Sequence, residues 1–147
     1  MADYETYEVR VYKNGDKFWW QGSKLHREDG PAVECADGNK FWYVNDKLHR
    51  TDGPAVEYAS GEKSWYQNDE LHRTDGPAVE CANGHKEWRQ NGNLHRTDGP
   101  AVEYADGDKY WYIDGVQYTE EEFNEKMNSC DGKTVTVDGK EYRLTAI

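Results

Sequence analysis

A 23-residue repeat constrains this chain more than any other feature of its sequence. Four near-copies follow one another, and they begin at Leu25, Leu48, Leu71 and Leu94. One tryptophan keeps the same interval and also occurs once before the first copy, at Trp19, Trp42, Trp65, Trp88 and Trp111. Such internal identity predicts a stack of equal structural units, each packed mainly against its neighbours.

Each unit has the pattern of a β-hairpin. In the second copy, residues 55–58 alternate between apolar and polar side chains, and Ser60-Gly61 then turns the chain. Residues 63–66 form the predicted return strand, and Asn68-Asp69 supplies the next tight turn, where positive φ angles are needed. The sequence therefore predicts a mainly β protein, in which stacked hairpins form one elongated antiparallel sheet.

The return strand carries the predicted binding surface. Trp65 and its equivalents are constant, whereas the residues on either side of them vary. Because side chains alternate between the two faces of a strand, we expect the tryptophans to form a buried spine and the variable residues to face outward. An exposed aromatic strip is typical of a binding surface, although cross-strand pairs that only stiffen the sheet fit equally well. The candidate residues are Phe41, Tyr43, Tyr66, Arg89, Tyr110 and Tyr112.

Each full copy opens with the motif Leu-His-Arg-x-Asp-Gly-Pro. We expect the arginines to pair with the aspartates and to brace the bends. The arginines are Arg27, Arg50, Arg73 and Arg96, and the aspartates are Asp29, Asp52, Asp75 and Asp98. An enzyme needs one organised site, whereas a stack needs the same bond in every unit, so the motif predicts a structural role and a protein that is not an enzyme. Equivalent histidines would lie roughly 9–10 Å apart, too far to share a metal ion, and no cofactor is expected.

The two ends of the chain depart from the repeat. We assign residues 1–24 to an N-terminal cap hairpin with a partial repeat, 25–116 to the four repeats, and 117–147 to a C-terminal cap. Within that cap the sequence predicts a helix at about 119–129 and a hairpin at about 133–146.

The start of the predicted helix is acidic. Thr119 and Glu122 have the spacing of a capping box. Glu120 and Glu121 then place negative charge at the helix N-terminus, where the helix dipole favours it. The alternative is that these two carboxylates dock a basic partner, so both belong to the candidate binding surface.

Composition limits the classes of partner. The chain has 29 acidic and 18 basic residues, a net charge of −11, and this acidity disfavours direct binding of nucleic acids or anionic membranes. No stretch resembles a signal peptide or a membrane span, and the three cysteines follow no metal-binding spacing. We therefore expect a cytoplasmic protein.

The repeat resembles the MORN repeat, whose copies are also 23 residues long. The order Trp65, Asn68-Asp69, His72, Gly76 and Gly84 follows the order of that family over about residues 15–116. The unit is more similar still to the LHRxDGPA…WYxNG repeats of bacteriophage and giant-virus proteins. The resemblance implies an antiparallel hairpin sheet, a scaffolding or protein-binding role, a viral origin and no enzymatic activity.

Three functional hypotheses follow. The first is a phage-encoded scaffold that acts in the host cytoplasm, where it binds and inhibits a host protein, such as one used in defence. The second is a nucleotide or small-ligand sponge that uses the aromatic faces and the row of arginines. The third is an acidic mimic of nucleic acid. Edge strands of the open sheet could also pair two copies into a homodimer.

Overall fold

The computed structural model describes residues 6–129 and 132–145, and it shows a mainly β protein with one short helix followed by a hairpin. The first ten strands are β1 (Tyr7–Val11), β2 (Lys17–Gln21), β3 (Lys24–Leu25), β4 (Val33–Glu34), β5 (Lys40–Phe41), β6 (Tyr43–Val44), β7 (Lys47–Leu48), β8 (Val56–Glu57), β9 (Lys63–Ser64) and β10 (Tyr66–Gln67). The others are β11 (Glu70–Leu71), β12 (Val79–Glu80), β13 (Lys86–Glu87), β14 (Arg89–Gln90), β15 (Asn93–Leu94), β16 (Val102–Glu103), β17 (Lys109–Ile113), β18 (Val116–Tyr118), β19 (Thr134–Val137) and β20 (Lys140–Arg143).

One large antiparallel sheet runs through the whole repeat array, which confirms the predicted fold class. Its strand order is β1-β2-β4-β5-β8-β9-β12-β13-β16-β17-β18, with β3 beside β2. Each repeat contributes an outgoing strand and a return strand to this sheet. Short hairpins between successive repeats (β6–β7, β10–β11 and β14–β15) form separate two-stranded ladders.

The turns follow the predicted chemistry. In the second repeat, Asn68 and Asp69 both have positive φ angles, 52° and 69°, as a two-residue hairpin turn of type I′ requires. At the other turn of the same repeat, Gly61 has a φ of 98° and its N–H donates to the carbonyl of Tyr58 at 2.9 Å. These turns recur in every repeat, so the hairpin register recurs as well.

The tryptophan is where the return strand changes partners. The Trp65 N–H donates to the carbonyl of Ala78 in the next repeat at 2.8 Å, and the Trp65 carbonyl accepts from the His72 N–H at 3.0 Å. The predicted return strand 63–66 is therefore divided into β9 and β10, on either side of Trp65.

The prediction of a buried tryptophan spine is wrong. All five repeat tryptophans are only partly buried. Among the described residues, no tryptophan or tyrosine is fully buried. The most buried apolar residues of the repeats are small ones: Ala32, Ala55, Ala78 and Ala101 at 0% exposure, and Val33, Val56 and Val102 at 5%.

The two faces of the sheet have different chemistry. One cross-strand row consists of Phe18, Val33, Phe41, Val56, Ser64, Val79, Glu87, Val102 and Tyr110, and we call this side the valine face. The neighbouring row, on the opposite face, alternates lysine and glutamate: Lys17, Glu34, Lys40, Glu57, Lys63, Glu80, Lys86, Glu103 and Lys109. Opposite charges that face each other across strands stabilise a sheet, and we call this side the arginine face for the side chains described below.

The C-terminal cap contains the predicted helix. Helix α1 spans Glu120–Asn128, and Thr119 is its N-cap. The capping box is complete, because the Thr119 N–H donates to Glu122 Oε2 at 2.9 Å and the Glu122 N–H donates to Thr119 Oγ1 at 3.2 Å. Phe123 is 3% exposed and anchors the helix to the end of the array. The hairpin β19–β20 follows, whereas residue 146 of the predicted hairpin lies outside the described residues.

Candidate functional site

The motif that recurs at each bend forms one repeated structural unit, which we call the arginine bend. Each arginine lies over the indole of the tryptophan eight residues before it. The distances from Cζ to the ring centroid are 4.2 Å for Arg27–Trp19, 4.1 Å for Arg50–Trp42, 4.0 Å for Arg73–Trp65 and 3.9 Å for Arg96–Trp88. Such partly desolvated cation–π contacts are typically worth about 0.5–2 kcal/mol.

Three further partners hold each guanidinium. In the third bend, Arg73 Nε donates to Asp75 Oδ1 at 2.7 Å, and Nη1 donates to the Pro77 carbonyl and to Glu80 Oε1, both at 3.0 Å. The predicted arginine–aspartate pairs are thus present. The sequence did not lead us to predict the glutamate partner, which joins the bend to the outgoing strand.

The glycine of the bend permits this close packing. A Cβ atom on Gly76 would lie 2.8 Å from Arg73 Cζ, closer than real contacts allow. The backbone at Gly76 does not have a positive φ, so close approach rather than chain flexibility explains the glycine. The guanidinium is therefore held between an indole and a glycine.

The repeat histidines connect neighbouring units. Nδ1 of each accepts the N–H of the turn residue 19 positions later, at 3.1–3.2 Å, in the pairs His26–Asn45, His49–Asn68, His72–Asn91 and His95–Asp114. In the last three pairs the same Nδ1 also lies 2.7–3.2 Å from the side-chain Oδ1 of that turn residue. The histidines are thus occupied with the stack, as the bend arginines are.

Some candidate residues do meet on one surface, the valine face. Tyr12 packs edge-on against Phe18, Tyr58 against Phe41, and Tyr104 against Tyr110, with centroid distances of 5.2, 5.9 and 5.8 Å. We call these six residues the tyrosine strip. The three tyrosines that begin these pairs are 52%, 42% and 47% exposed.

The structure divides the remaining candidates between other places. Tyr43 and Tyr66 lie in the short hairpins and Tyr112 lies in β17. All three are half-buried, and burial raises the pKa of Tyr43 and Tyr66. The prediction that the variable residues all face away from the core is wrong, because Phe41 and its equivalents share a face with the buried valines. Glu120 and Glu121 are exposed on the first turn of α1, and Glu120 lines a hollow together with Tyr110 of the tyrosine strip.

A charged cluster interrupts the tyrosine strip in the third repeat. Glu87 accepts from Arg89 Nε at 2.7 Å and contacts His85 Nε2 at 3.1 Å, and the His85 ring lies 4.6 Å from that of Tyr104. Burial opposes ionisation of Glu87, but the hydrogen bonds from Arg89 and His85 outweigh it and lower its pKa. The cluster is therefore a fixed ionic feature between aromatic neighbours.

Two cysteines also lie on the valine face. Burial, together with nearby carboxylates, raises the pKa of both Cys35 and Cys81, which disfavours the reactive thiolate. Among residues 6–129 and 132–145, no group of three or more metal-ligating side chains converges, and no helix is long and apolar enough to span a membrane.

Comparisons with known proteins do not assign the chain to a family. Neither a protein family model nor a curated protein sequence matches it. The resemblance to MORN repeats and to viral repeat proteins therefore stays a prediction.

Gly76→Ala tests the packing of the arginine bend. We expect it to displace Arg73 from Trp65 and to lower the free energy of unfolding by about 1–2 kcal/mol, through lost cation–π and charge-assisted contacts. In an Arg73→Ala background the same substitution should be neutral or stabilising by up to about 1 kcal/mol, because alanine restricts the unfolded chain. Urea unfolding followed by tryptophan fluorescence measures both, and equal costs in the two backgrounds would contradict the packing.

The bend aspartates should make stability sensitive to acid. A hydrogen bond from Arg73 holds the pKa of Asp75 below its ordinary value of 3.8, and Asp29, Asp52 and Asp98 show the same shift for the same reason. A depressed pKa in the folded state means that the stabilisation is present above pH 3.8 and is lost as the pH falls through the lower, folded-state value.

Thermal unfolding from pH 7 to about pH 3 checks this dependence. The melting temperature of the wild-type chain should fall most steeply below about pH 4. The double variant Asp52→Asn, Asp75→Asn should lose less on acidification, since two of the shifted carboxyls are gone. Parallel pH profiles for the two proteins would refute the assignment.

Proposed function

We propose that this chain is a non-enzymatic scaffold that binds a partner protein through the tyrosine strip. The observation that carries the proposal is the exposure of Tyr12, Tyr58 and Tyr104, each braced edge-on by a second aromatic ring. Tyrosine offers a large apolar surface and a hydroxyl, and it loses little conformational entropy when its ring is already held. Aromatic residues of this kind are enriched at protein interfaces.

The border of the strip indicates the chemistry of the partner. The glycine turn after Tyr104 carries exposed Asp106 and Asp108, and the turn after Cys35 carries exposed Asp37. A matching surface would offer an aliphatic or proline-rich patch, which the rings cover, with lysine or arginine around it. Binding should weaken as salt is added, because rim charges of this kind are screened.

The two rival hypotheses have less support. A nucleotide sponge needs uncompensated positive charge, but each bend guanidinium already contacts two carboxylates. An acidic mimic needs a row of negative charge, whereas the arginine face alternates lysine with glutamate along the sheet. Protein binding, in contrast, needs an exposed aromatic surface, and the tyrosine strip provides one.

The resemblance to viral repeats favours a bacterial host protein as the partner. We extend the proposal to inhibition of that protein in the host cytoplasm. A scaffold without catalytic activity would inhibit its partner by covering a functional surface of that partner. The tyrosine strip crosses the strands of the sheet and offers an extended surface for this contact.

Affinity capture from bacterial lysate, with matched variants, tests the proposal. The strip variant combines Tyr12→Ser, Tyr58→Ser and Tyr104→Ser. The control variant combines Val135→Ser, Val137→Ser and Tyr142→Ser, whose parent side chains are similarly exposed, at 41%, 52% and 49%, but lie on the C-terminal hairpin. We expect the control variant to retain the partner and the strip variant to bind it at least about tenfold more weakly, the scale of a hot-spot loss.

The purified partner then gives the quantitative result by calorimetry at two salt concentrations. The proposal would be contradicted if the strip variant bound the partner as tightly as the wild-type chain, or if both variants lost the same amount of affinity. A failure to capture any specific protein with the wild-type chain would remove its support.

A further inference from the structure

Strand β1 ends the large sheet at its N-terminal side. Within the described residues β1 pairs with β2 only, whereas its equivalents in the repeats, β4, β8, β12 and β16, each pair on both sides. Three alternating residues of β1 are exposed: Tyr7 at 49%, Val9 at 47% and Val11 at 65%. A five-residue strand with these side chains is an unusually open edge for a soluble protein.

The backbone of β1 presents hydrogen-bonding groups to that edge. The Tyr12 N–H donates inward, to the Asp16 carbonyl beyond β2, at 2.9 Å. In an antiparallel pair, inward and outward groups alternate, so Arg10 and Glu8 direct their backbone groups toward β2. The N–H and C=O groups of Val9 and Val11 therefore point away from the sheet.

We propose that β1 pairs antiparallel with β1 of a second copy, about a two-fold axis through Val9. In this register Val9 lies opposite Val9, and Glu8 of each copy lies opposite Arg10 of the other. In this register the backbone N–H and C=O groups of the two Val9 residues bond to each other, and the two glutamate–arginine pairs occupy the positions where side chains are closest.

The charges select this register over its neighbours. A shift of two residues in one direction places Arg10 opposite Arg10, and a shift in the other direction places Glu8 opposite Glu8. Like charges directly opposite each other destabilise a sheet. A shift of one residue would place apolar and charged side chains on the same face.

Arg10 is already held in position for this contact. Its Nε donates to Glu8 Oε1 at 2.7 Å, and its Cζ lies 4.8 Å from the centroid of the Trp20 ring. Both side chains are about half exposed, 46% and 58%, so each can form a second ion pair with the other copy.

The opposite face of β1 offers space for apolar contact. Tyr7, Val9, Trp19 and Arg27 line part of a hollow of about 440 Å³. The proposed register brings Val11 of the second copy opposite Tyr7, at the edge of this hollow. Filling it would bury the apolar side chains that β1 exposes.

Sedimentation velocity of the full chain over a range of concentrations tests the proposal. The wild-type mass should rise from 17.1 kDa toward twice that value. Glu8→Lys gives two basic residues on β1, and Arg10→Glu gives two acidic ones, so each variant alone should associate at least about tenfold more weakly. An equimolar mixture of the two should dimerise again, because each lysine then faces a glutamate.

The exchanged variant Glu8→Arg, Arg10→Glu is the control for folding and charge. It keeps the composition of β1 and restores opposite charges across the pair, so it should self-associate like the wild-type chain. A wild-type chain that stays monomeric at every concentration would overturn the proposal. Association that the single charge variants leave unchanged would also overturn it, because another surface, such as the β18 end, would then be responsible.

Discussion

A guanidinium held between an indole and a glycine is the interaction on which the other features of the stack depend. Arg73 covers Trp65, lies against Gly76 and bonds to Glu80, so one side chain connects the return strand, the bend and the next outgoing strand. The bend thereby places Pro77 and the strand that follows it in a fixed register within the sheet. Because the same contacts recur in four bends, every repeat has the same strand register as the one before it.

This arrangement explains how the sheet can be stable with a core of small side chains. Large aliphatic side chains are scarce, and the deeply buried repeat positions are alanines and valines. Large side chains also pack on the sheet, with guanidinium groups over indoles on one face and paired aromatic rings on the other. The tyrosine strip belongs to this packing, which is why its rings are both ordered and accessible.

Local chemistry allowed much of this fold to be predicted from the sequence. The Asn68-Asp69 turn, the capping box of Thr119 and the hairpin period all depend on residues close together in the chain. The depth of burial could not be predicted, because alternation shows which side chains share a face but not what covers that face. Tyr58 and Tyr104 were missed as surface residues for that reason, although their recurrence at one repeat position was a visible signal. The alternating lysines and glutamates were equally visible, since they keep the 23-residue interval.

The recurring register also makes length adjustable in fixed steps. Each copy contacts chiefly the copies beside it, so inserting or deleting 23 residues would keep the same arginine bend at every junction. Two strands are added each time, which moves α1 by about 9–10 Å relative to β1. A chain built this way can act as a molecular ruler: evolution can match its span to a target by counting modules, without redesigning any of them.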